Sequence, residues 1–239
     1  MASAIVIPAY NAGRHIRRVV ERLVAAAPAE FSRLIVVNDG STDDTLSQVD
    51  KLRARFPELE VVERVRNGGY GAAMKDGLKR ALDGDPDLVA CVHADGQYSP
   101  ERLPALVEEL RQRDLDLLQG SRIAGGTALA GGMPLYKYVG NACLNQIENR
   151  VLGLGLTDYH SGYLLYGRRA LRVPFQKLSN SFDFDLEMIA MARAHGLCVG
   201  EAPIPTHYGD EVSHLSPLDY GLRVLRVLWN YRRGRYDPA

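Results

Sequence analysis

Leu88-Val89-Ala90-Cys91-Val92 runs straight into His93-Ala94-Asp95-Gly96-Gln97. A short apolar run that stops abruptly at polar and acidic residues has the pattern of a buried parallel strand opening into a site at its C-terminal end. In open α/β sheets that end is where ligands sit. Continued as extended chain, the stretch puts the side chains of residues 93, 95 and 97 on one side, two apart. An imidazole, a carboxylate and an amide in one row suit a divalent cation or a phosphate. Taken alone, the same residues equally describe a polar loop after a strand.

Working outward, the same unit repeats. Ala4 to Pro8 is a β-branched apolar run, followed by the turn-rich Pro8-Ala9-Tyr10-Asn11-Ala12-Gly13 and helical spacing over Arg14 to Ala27. Leu34 to Val37 is a second buried strand, ending at Asn38-Asp39-Gly40-Ser41-Thr42-Asp43-Asp44. There Ser41 with Asp44 has the pattern of an N-cap for a helix to Phe56. Leu59 to Val65 is a third strand, and a helix starts at Ala72 beyond Asn67-Gly68-Gly69-Tyr70-Gly71. After the strand at Leu88, Pro100 opens a helix to Arg113, and Leu115 to Gln119 is a fifth strand ending in Gly120-Ser121-Arg122. Four strand–helix units in a row predict an α/β fold with a doubly wound, mostly parallel sheet and helices on both faces. Beyond Arg122 the spacing predicts a mobile loop at Ile123 to Gly132 and a helix at Tyr136 to Leu152. A strand-like stretch at Thr157 to Tyr166, a helix at Phe184 to His195 and a strand at Leu197 to Ala202 follow. With no linker in the pattern, residues 1–215 are expected to form one domain, and 216–239 a C-terminal amphipathic helix.

Bulk properties narrow the function. The 239 residues are 46% hydrophobic and 24% charged, as in an ordinary soluble domain, and 29 Lys and Arg balance 29 Asp and Glu. No global field therefore favours nucleic acid, which is not expected as a partner. Cys91, Cys143 and Cys198 are widely spaced and form no CxxC pair, so they are expected to be reduced thiols of a cytoplasmic protein. Neither a signal peptide nor an apolar membrane span is expected.

The glycines do not make a nicotinamide fingerprint. Gly69-x-Gly71 follows the third strand and leads to Met74, and no GxxxxGK[ST] loop occurs. The helix start after Gly68-Gly69 is still a candidate phosphate seat, with Lys75 one turn in, though a plain glycine turn explains it as well. Asp39, at the end of the second strand, is a candidate acceptor for a ribose hydroxyl or base N–H.

Four ordered segments now carry a resemblance: Ile7-Pro8-Ala9-Tyr10-Asn11, Val37-Asn38-Asp39-Gly40-Ser41-Thr42-Asp43, Ala94-Asp95-Gly96-Gln97 and Gly120-Ser121-Arg122. Together they resemble the signatures of family-2 glycosyltransferases, in the dolichyl or polyprenyl phosphate mannose synthase-like branch. The resemblance runs from residue 4 to about residue 205. It implies a GT-A fold, an inverting mechanism, a nucleotide-diphosphate sugar donor (GDP-mannose or a UDP-hexose) and Mg²⁺ or Mn²⁺. Pro8, Tyr10, Asn11, Val37 and Asp39 would then line the nucleoside pocket. His93, Ala94, Asp95 and Gln97 stand where the family keeps its metal and diphosphate motif, with Asp95, Gln97 and His93 as the metal candidates. Arg122 and Lys137 would meet phosphate charge, and Asp158, ahead of Ser161-Gly162-Tyr163, would stand near the reaction centre, as the base if the acceptor is a hydroxyl. Tyr208 and His214 fall in the segment that closes over the donor, near positions that hold basic residues in that branch.

The departures are specific. His93 replaces the first Asp of the metal motif, and Ala12-Gly13 replaces the acid expected after Tyr-Asn. A neutral imidazole suits Mn²⁺ better than Mg²⁺, or else serves as a structural histidine. No Gln-x-x-Arg precedes Trp229, which argues against polysaccharide synthesis. Pro217 to Arg235 carries an apolar stripe with Trp229 and several arginines, the pattern of a helix docked on the core or lying on an anionic membrane face. The expected function is metal-assisted transfer of a sugar to a polyprenyl phosphate. A hydroxyl acceptor, or nucleotide-sugar binding without catalysis, is the alternative. The expected location is cytoplasmic, free or peripheral on the membrane, with or without an anchor protein.

Overall fold

A computed structural model describes residues 3–27, 29, 31–205 and 217–238. Its first half alternates strand and helix: β1 (Ser3–Ala9), α1 (Ile16–Ala26), β2 (Phe31–Asn38), α2 (Thr45–Arg53), β3 (Leu59–Glu63), α3 (Tyr70–Leu82), β4 (Leu88–Cys91), α4 (Leu103–Gln112) and β5 (Leu117–Ser121). The second half adds α5 (Leu135–Leu152), β6 (Leu164–Gly167), α6 (Phe184–Ala194), β7 (Val199–Pro203) and α7 (Pro217–Arg232).

The strands form one sheet in the order β3-β2-β1-β4-β6-β5-β7. All pairings are parallel except those of β6, which runs antiparallel to both β4 and β5. The strand-like stretch expected at Thr157 to Tyr166 thus contributes its last residues as a strand wedged between the fourth and fifth. Residues 157–163 remain irregular below it.

Alternation along the strands builds two cores. Val6, Val37, Val89 and Leu117 face α3, α6 and α7, whereas Ile5, Val36, Ala90 and Leu118 face α1, α2 and α4. Gly77 sets how closely α3 lies on the sheet: a Cβ there would come within 2.3 Å of Val6 Cγ1. Helix α7 buries Val224, Val227 and Leu228 and contacts α5 and α6, while Leu222, Leu225 and Trp229 point outward.

Some boundaries move. The third strand ends at Glu63, and Val65 is fully exposed. The fifth strand is shifted two residues, so that Gly120 and Ser121 pair with Ala202 and Pro203 of β7. Ser41 does not cap α2. Its Oγ accepts the Asn11 N–H at 3.0 Å, and Asp43 Oδ1 accepts the Thr45 N–H instead. No helix among the described residues is long and apolar enough to cross a membrane.

Candidate active site

The polar ends of β1, β2, β4 and β5 meet at one edge of the sheet. After β1, Asn11 takes a left-handed conformation (φ 49°), and its Oδ1 accepts the Thr42 N–H at 2.9 Å. With the Asn11–Ser41, Ala12–Thr45 and Gly13–Asp43 hydrogen bonds, this latches the loop after β1 to the loop after β2. Tyr10, half exposed, stands on that latch beside the partly buried Pro8. Val37 does not reach the cleft: its side chain is fully buried in the core under α3.

Asp39 is also more committed than its sequence position implies. Its two oxygens accept the N–H groups of Gly68 and Gly69, each at 2.9 Å, and Arg64 Nε lies 2.8 Å away. Asp39 therefore shapes the glycine turn that starts α3. That helix start is not an open phosphate seat, because the Ala72 N–H reaches the Asn180 carbonyl and a Cβ on Gly71 would meet the Ser179 carbonyl at 2.3 Å. Lys75 points away from the cleft, donating to the Leu178 carbonyl at 2.9 Å and to Asn180 Oδ1. It braces the 178–180 segment.

The stretch after β4 is a turn, not an extended row. Gly96 has φ 79°, and Asp95 Oδ1 accepts the Gln97 N–H at 3.0 Å, an Asx turn. Ala94 is buried toward α1 and α4. His93 goes the other way, into an aromatic row that the sequence did not reveal. Phe182 stacks on Tyr70 (centroids 5.9 Å apart), Tyr70 meets His93 (5.0 Å), and His93 meets Tyr98 edge-on (5.1 Å). The ring also lies against Gly162, where a Cβ would sit 2.3 Å from His93 Nε2.

This row ends on a carboxylate. Tyr70 donates its hydroxyl proton to Asp185 Oδ2 at 2.8 Å, and His93 Nε2 lies 3.1 Å from the same hydroxyl oxygen. With Asp185 ionised, Tyr70 can only accept from His93, so the imidazole carries its proton on Nε2 and its lone pair on Nδ1. Burial pushes the Asp185 carboxyl up to about 7. Burial also lowers the His93 pKa; the charge of Asp95 opposes that shift and the charge of Arg122 adds to it. Asp95 and Arg122 thus act on one ring, from the ends of β4 and β5.

Arg122 is gripped by Asp158. The carboxylate is fully buried and accepts from Arg122 Nε at 2.7 Å, its terminal nitrogen at 2.9 Å, the Arg122 N–H at 3.1 Å and the His160 N–H at 3.1 Å. Burial alone would raise the Asp158 pKa, but the Arg122 charge and hydrogen bonds hold it below the usual carboxylate range. Four donors occupy the two oxygens of Asp158, so the carboxylate as it stands holds Arg122. Beneath it, His160 Nδ1 lies 3.0 Å from the Tyr220 hydroxyl and Nε2 3.3 Å from the buried Glu148. These contacts tie α7 and α5 to the 158–161 loop. Lys137 sits half-buried in the first turn of α5. Tyr208 and His214 lie outside the described residues.

No cluster of three or more His, Cys, Asp or Glu that could hold a metal occurs among the described residues. The set of Asp95, Gln97 and His93 is thinner than expected, since His93 Nε2 is committed to Tyr70. Asp95 nevertheless sits at the strand end with one oxygen outside its Asx turn. One carboxylate completed by substrate phosphates is a known way to hold Mg²⁺, so the residues fit a cation that arrives with its ligand.

An α/β sheet with one antiparallel strand, carrying an acidic turn after β4 and a clamped arginine after β5, fits the GT-A glycosyltransferase fold that the sequence resembles. The family model described as glycosyl transferase family 2 matches residues 4–173. The chain belongs to that family. It is 29% identical over 217 residues to a UDP-N-acetylglucosamine–dolichyl-phosphate N-acetylglucosaminyltransferase of Methanococcus voltae, covering 85% of each chain. To a polyprenol monophosphomannose synthase of Mycolicibacterium smegmatis it is 30% identical, covering 98% of this chain and 89% of the relative. Among solved structures, glucosyl-3-phosphoglycerate synthase of Mycobacterium tuberculosis superposes with a TM-score of 0.69 at 19% identity, covering 100% of this chain and 81% of that one.

Tyr70, Tyr98, Phe182, Asp185, Glu148 and His160 were not foreseen as site residues. Two signals were present: a tyrosine between glycines at 69–71, and acids alternating with phenylalanines at Phe182-Asp183-Phe184-Asp185.

Proposed function

We propose that this glycosyltransferase moves a sugar, with inversion, from a nucleotide-diphosphate sugar to a polyprenyl phosphate. The single observation that carries the acceptor is that Asp158, the expected base, is saturated by Arg122 and His160. A phosphate acceptor is ionised at neutral pH and needs no strong base. The relatives named for dolichyl-phosphate and polyprenol acceptors support the same class. A lipid substrate also gives a role to the apolar side chains left outside: Leu222 (67% exposed), Leu225 and Trp229 (62%) on α7, and Leu135, Tyr136 and Val139 on α5. With Arg226, Arg232 and Arg233 around Trp229, that face suits the edge of an anionic bilayer.

In this reading Tyr10 and the Asn11 latch frame the nucleoside. Asp95 would hold a divalent cation together with the donor's own phosphate oxygens, and the chemistry such a cation supplies is neutralisation of the leaving diphosphate. Arg122, held rigid by Asp158, orients phosphate charge through charge-assisted hydrogen bonds. The aromatic row of Tyr70, His93 and Tyr98 walls the reaction space from water.

Asp185 favours a second reading. A carboxyl with a pKa of about 7 beside the cleft is a competent base for a hydroxyl acceptor. The test is a transfer assay with GDP-mannose, UDP-glucose and UDP-N-acetylglucosamine, each with undecaprenyl phosphate or a free glycan, with and without Mn²⁺ after chelation. Metal-dependent, lipid-linked product is expected. Turnover confined to the glycan would refute the polyprenyl phosphate reading and favour Asp185 as base.

A further inference from the structure

The chain is neutral overall, yet one groove on its surface is strongly basic. Helices α1 and α2 border a cavity of about 630 Å³ lined by Arg14, Arg17, Arg18, Gln48, Lys51 and Arg55, with no acidic side chain in its wall. Arg17 and Arg18 project from the first turn of α1 with Arg14 in the turn just before it, while Lys51 lies on α2 and Arg55 in the turn just after it. The groove opens on the α1–α2 side of the sheet, opposite the side that carries α5 and α7.

This arrangement is unfavourable when empty. Arg14, Arg17, Arg18, Lys51 and Arg55 are like charges gathered around one groove, where they repel. Arg17 and Arg18 also sit in the first turn of α1, where the helix dipole favours anions and where the sequence supplies no acid. Compensation is sparse among the described residues. Glu21 pairs with Arg55 at 2.5 Å, and Asp44, at the rim, accepts from Gln48. Glu101, whose carboxylate feels the Arg18 charge, is already held two-fold by Arg22 at 2.7 Å. Arg14, Arg17, Arg18 and Lys51 have no carboxylate within ion-pairing distance among the described residues.

We propose that the α1–α2 groove is a binding site for a phosphate-class polyanion, separate from the donor cleft. Guanidinium forks from three arginines on one wall of the groove match phosphate oxygens in pairs, Lys51 adds a point charge from the facing helix, and Gln48 offers amide donors. The volume admits a diphosphate or a phosphorylated headgroup. Bound there, the anion cancels both the side-chain repulsion and the mismatch with the α1 dipole.

The probes are inorganic pyrophosphate, read by calorimetric titration, and vesicles of phosphatidylglycerol or phosphatidylcholine, read by sedimentation. The variant is R17Q/R18Q, and its charge-matched control is R150Q/R172Q, on exposed residues elsewhere. Saturable pyrophosphate binding weakened about tenfold in R17Q/R18Q but not in the control assigns the site to a free anion. Recruitment to phosphatidylglycerol vesicles alone, lost in R17Q/R18Q but kept in the control, assigns it to a lipid headgroup. Absence of both, or binding that R17Q/R18Q leaves unchanged or that falls equally in variant and control, overturns the proposal.

Discussion

Replacing Asp158 with Asn separates two roles for one residue. As a base, Asp158 would be needed for chemistry and dispensable for stability. As the holder of Arg122, it is needed for both. The structure gives the size of the second effect. The carboxylate is fully buried and accepts four N–H groups, three of them from Arg122. An amide turns one acceptor oxygen into a donor facing those N–H groups and leaves a largely buried guanidinium without its counter-charge. Removing one partner of such a pair costs about 3–5 kcal/mol. For a chain of this size that corresponds to a fall in Tm of roughly 10 °C. The pair also has a pH signature. Its folded pKa is depressed, so its stabilisation is complete above the unfolded carboxylate pKa and is lost as pH falls through the folded value, below about pH 4. D158N should therefore unfold early at pH 7, and the gap to wild type should close in acid. Calorimetric melts at both pH values, with transfer kinetics measured below the variant's Tm, read this directly. A D158N protein that melts within about 2 °C of wild type at pH 7 but has lost the acid limb of its pH–rate profile would refute the holder role.

Asp185→Asn should show the opposite sign. The Asp185 pKa is raised to about 7 by burial, so folding takes up a proton between the unfolded value and 7, and this group costs stability as pH rises through that window. D185N cannot ionise, so its stability relative to wild type should grow between pH 5 and pH 8, by roughly 3 kcal/mol at most; a gap constant with pH would show that Asp185 is not held protonated. Gly162→Ala puts a methyl 2.3 Å from the His93 ring and should swing it off Tyr70. The expected cost is about 1–3 kcal/mol, together with a change of His93 tautomer seen in imidazole ¹⁵N shifts; an unchanged spectrum would count against the Tyr70–His93 contact.

The parallel units were readable because their signals are local. Ile5 to Ile7, Leu34 to Val37 and Leu88 to Cys91 are apolar over the length of a buried strand, and each ends in turn residues. What no periodicity carries is which strand lies beside which. Leu164 to Gly167 reads as one more apolar strand. Its antiparallel place between β4 and β5 depends on pairing Leu165 with Ala90 and with Leu118, across long sequence separations. The capping of α2 was misread for a related reason. Ser41 is a good cap by type, but the Asn11 N–H, 30 residues away, competes for its hydroxyl and wins.

The same distinction sorts the site. Strand-end positions of Asp39, Asp95 and Arg122 were visible in the sequence, whereas the partners that decide their chemistry were not. Asp39 is bound by N–H groups some 30 residues on, Arg122 by a carboxylate 36 residues on, and Tyr70 by one 115 residues on. Each long-range contact removes a charge from the pool available to substrate. Asp39 and Asp158 are filled by donors, and Lys75 is spent on a carbonyl and an amide. Asp95 keeps one oxygen outside its Asx turn, and Asp185, with a pKa of about 7, is about half ionised at pH 7. A cleft so depleted of free carboxylates has little to offer as a base to a neutral hydroxyl unless Asp185 provides it. An acceptor that brings its own negative charge asks only for the clamped Arg122 and a cation at Asp95. The choice between the two acceptor classes therefore rests on Asp185. A variant in which that one carboxyl is neutral should keep transfer to a polyprenyl phosphate and lose transfer to a hydroxyl.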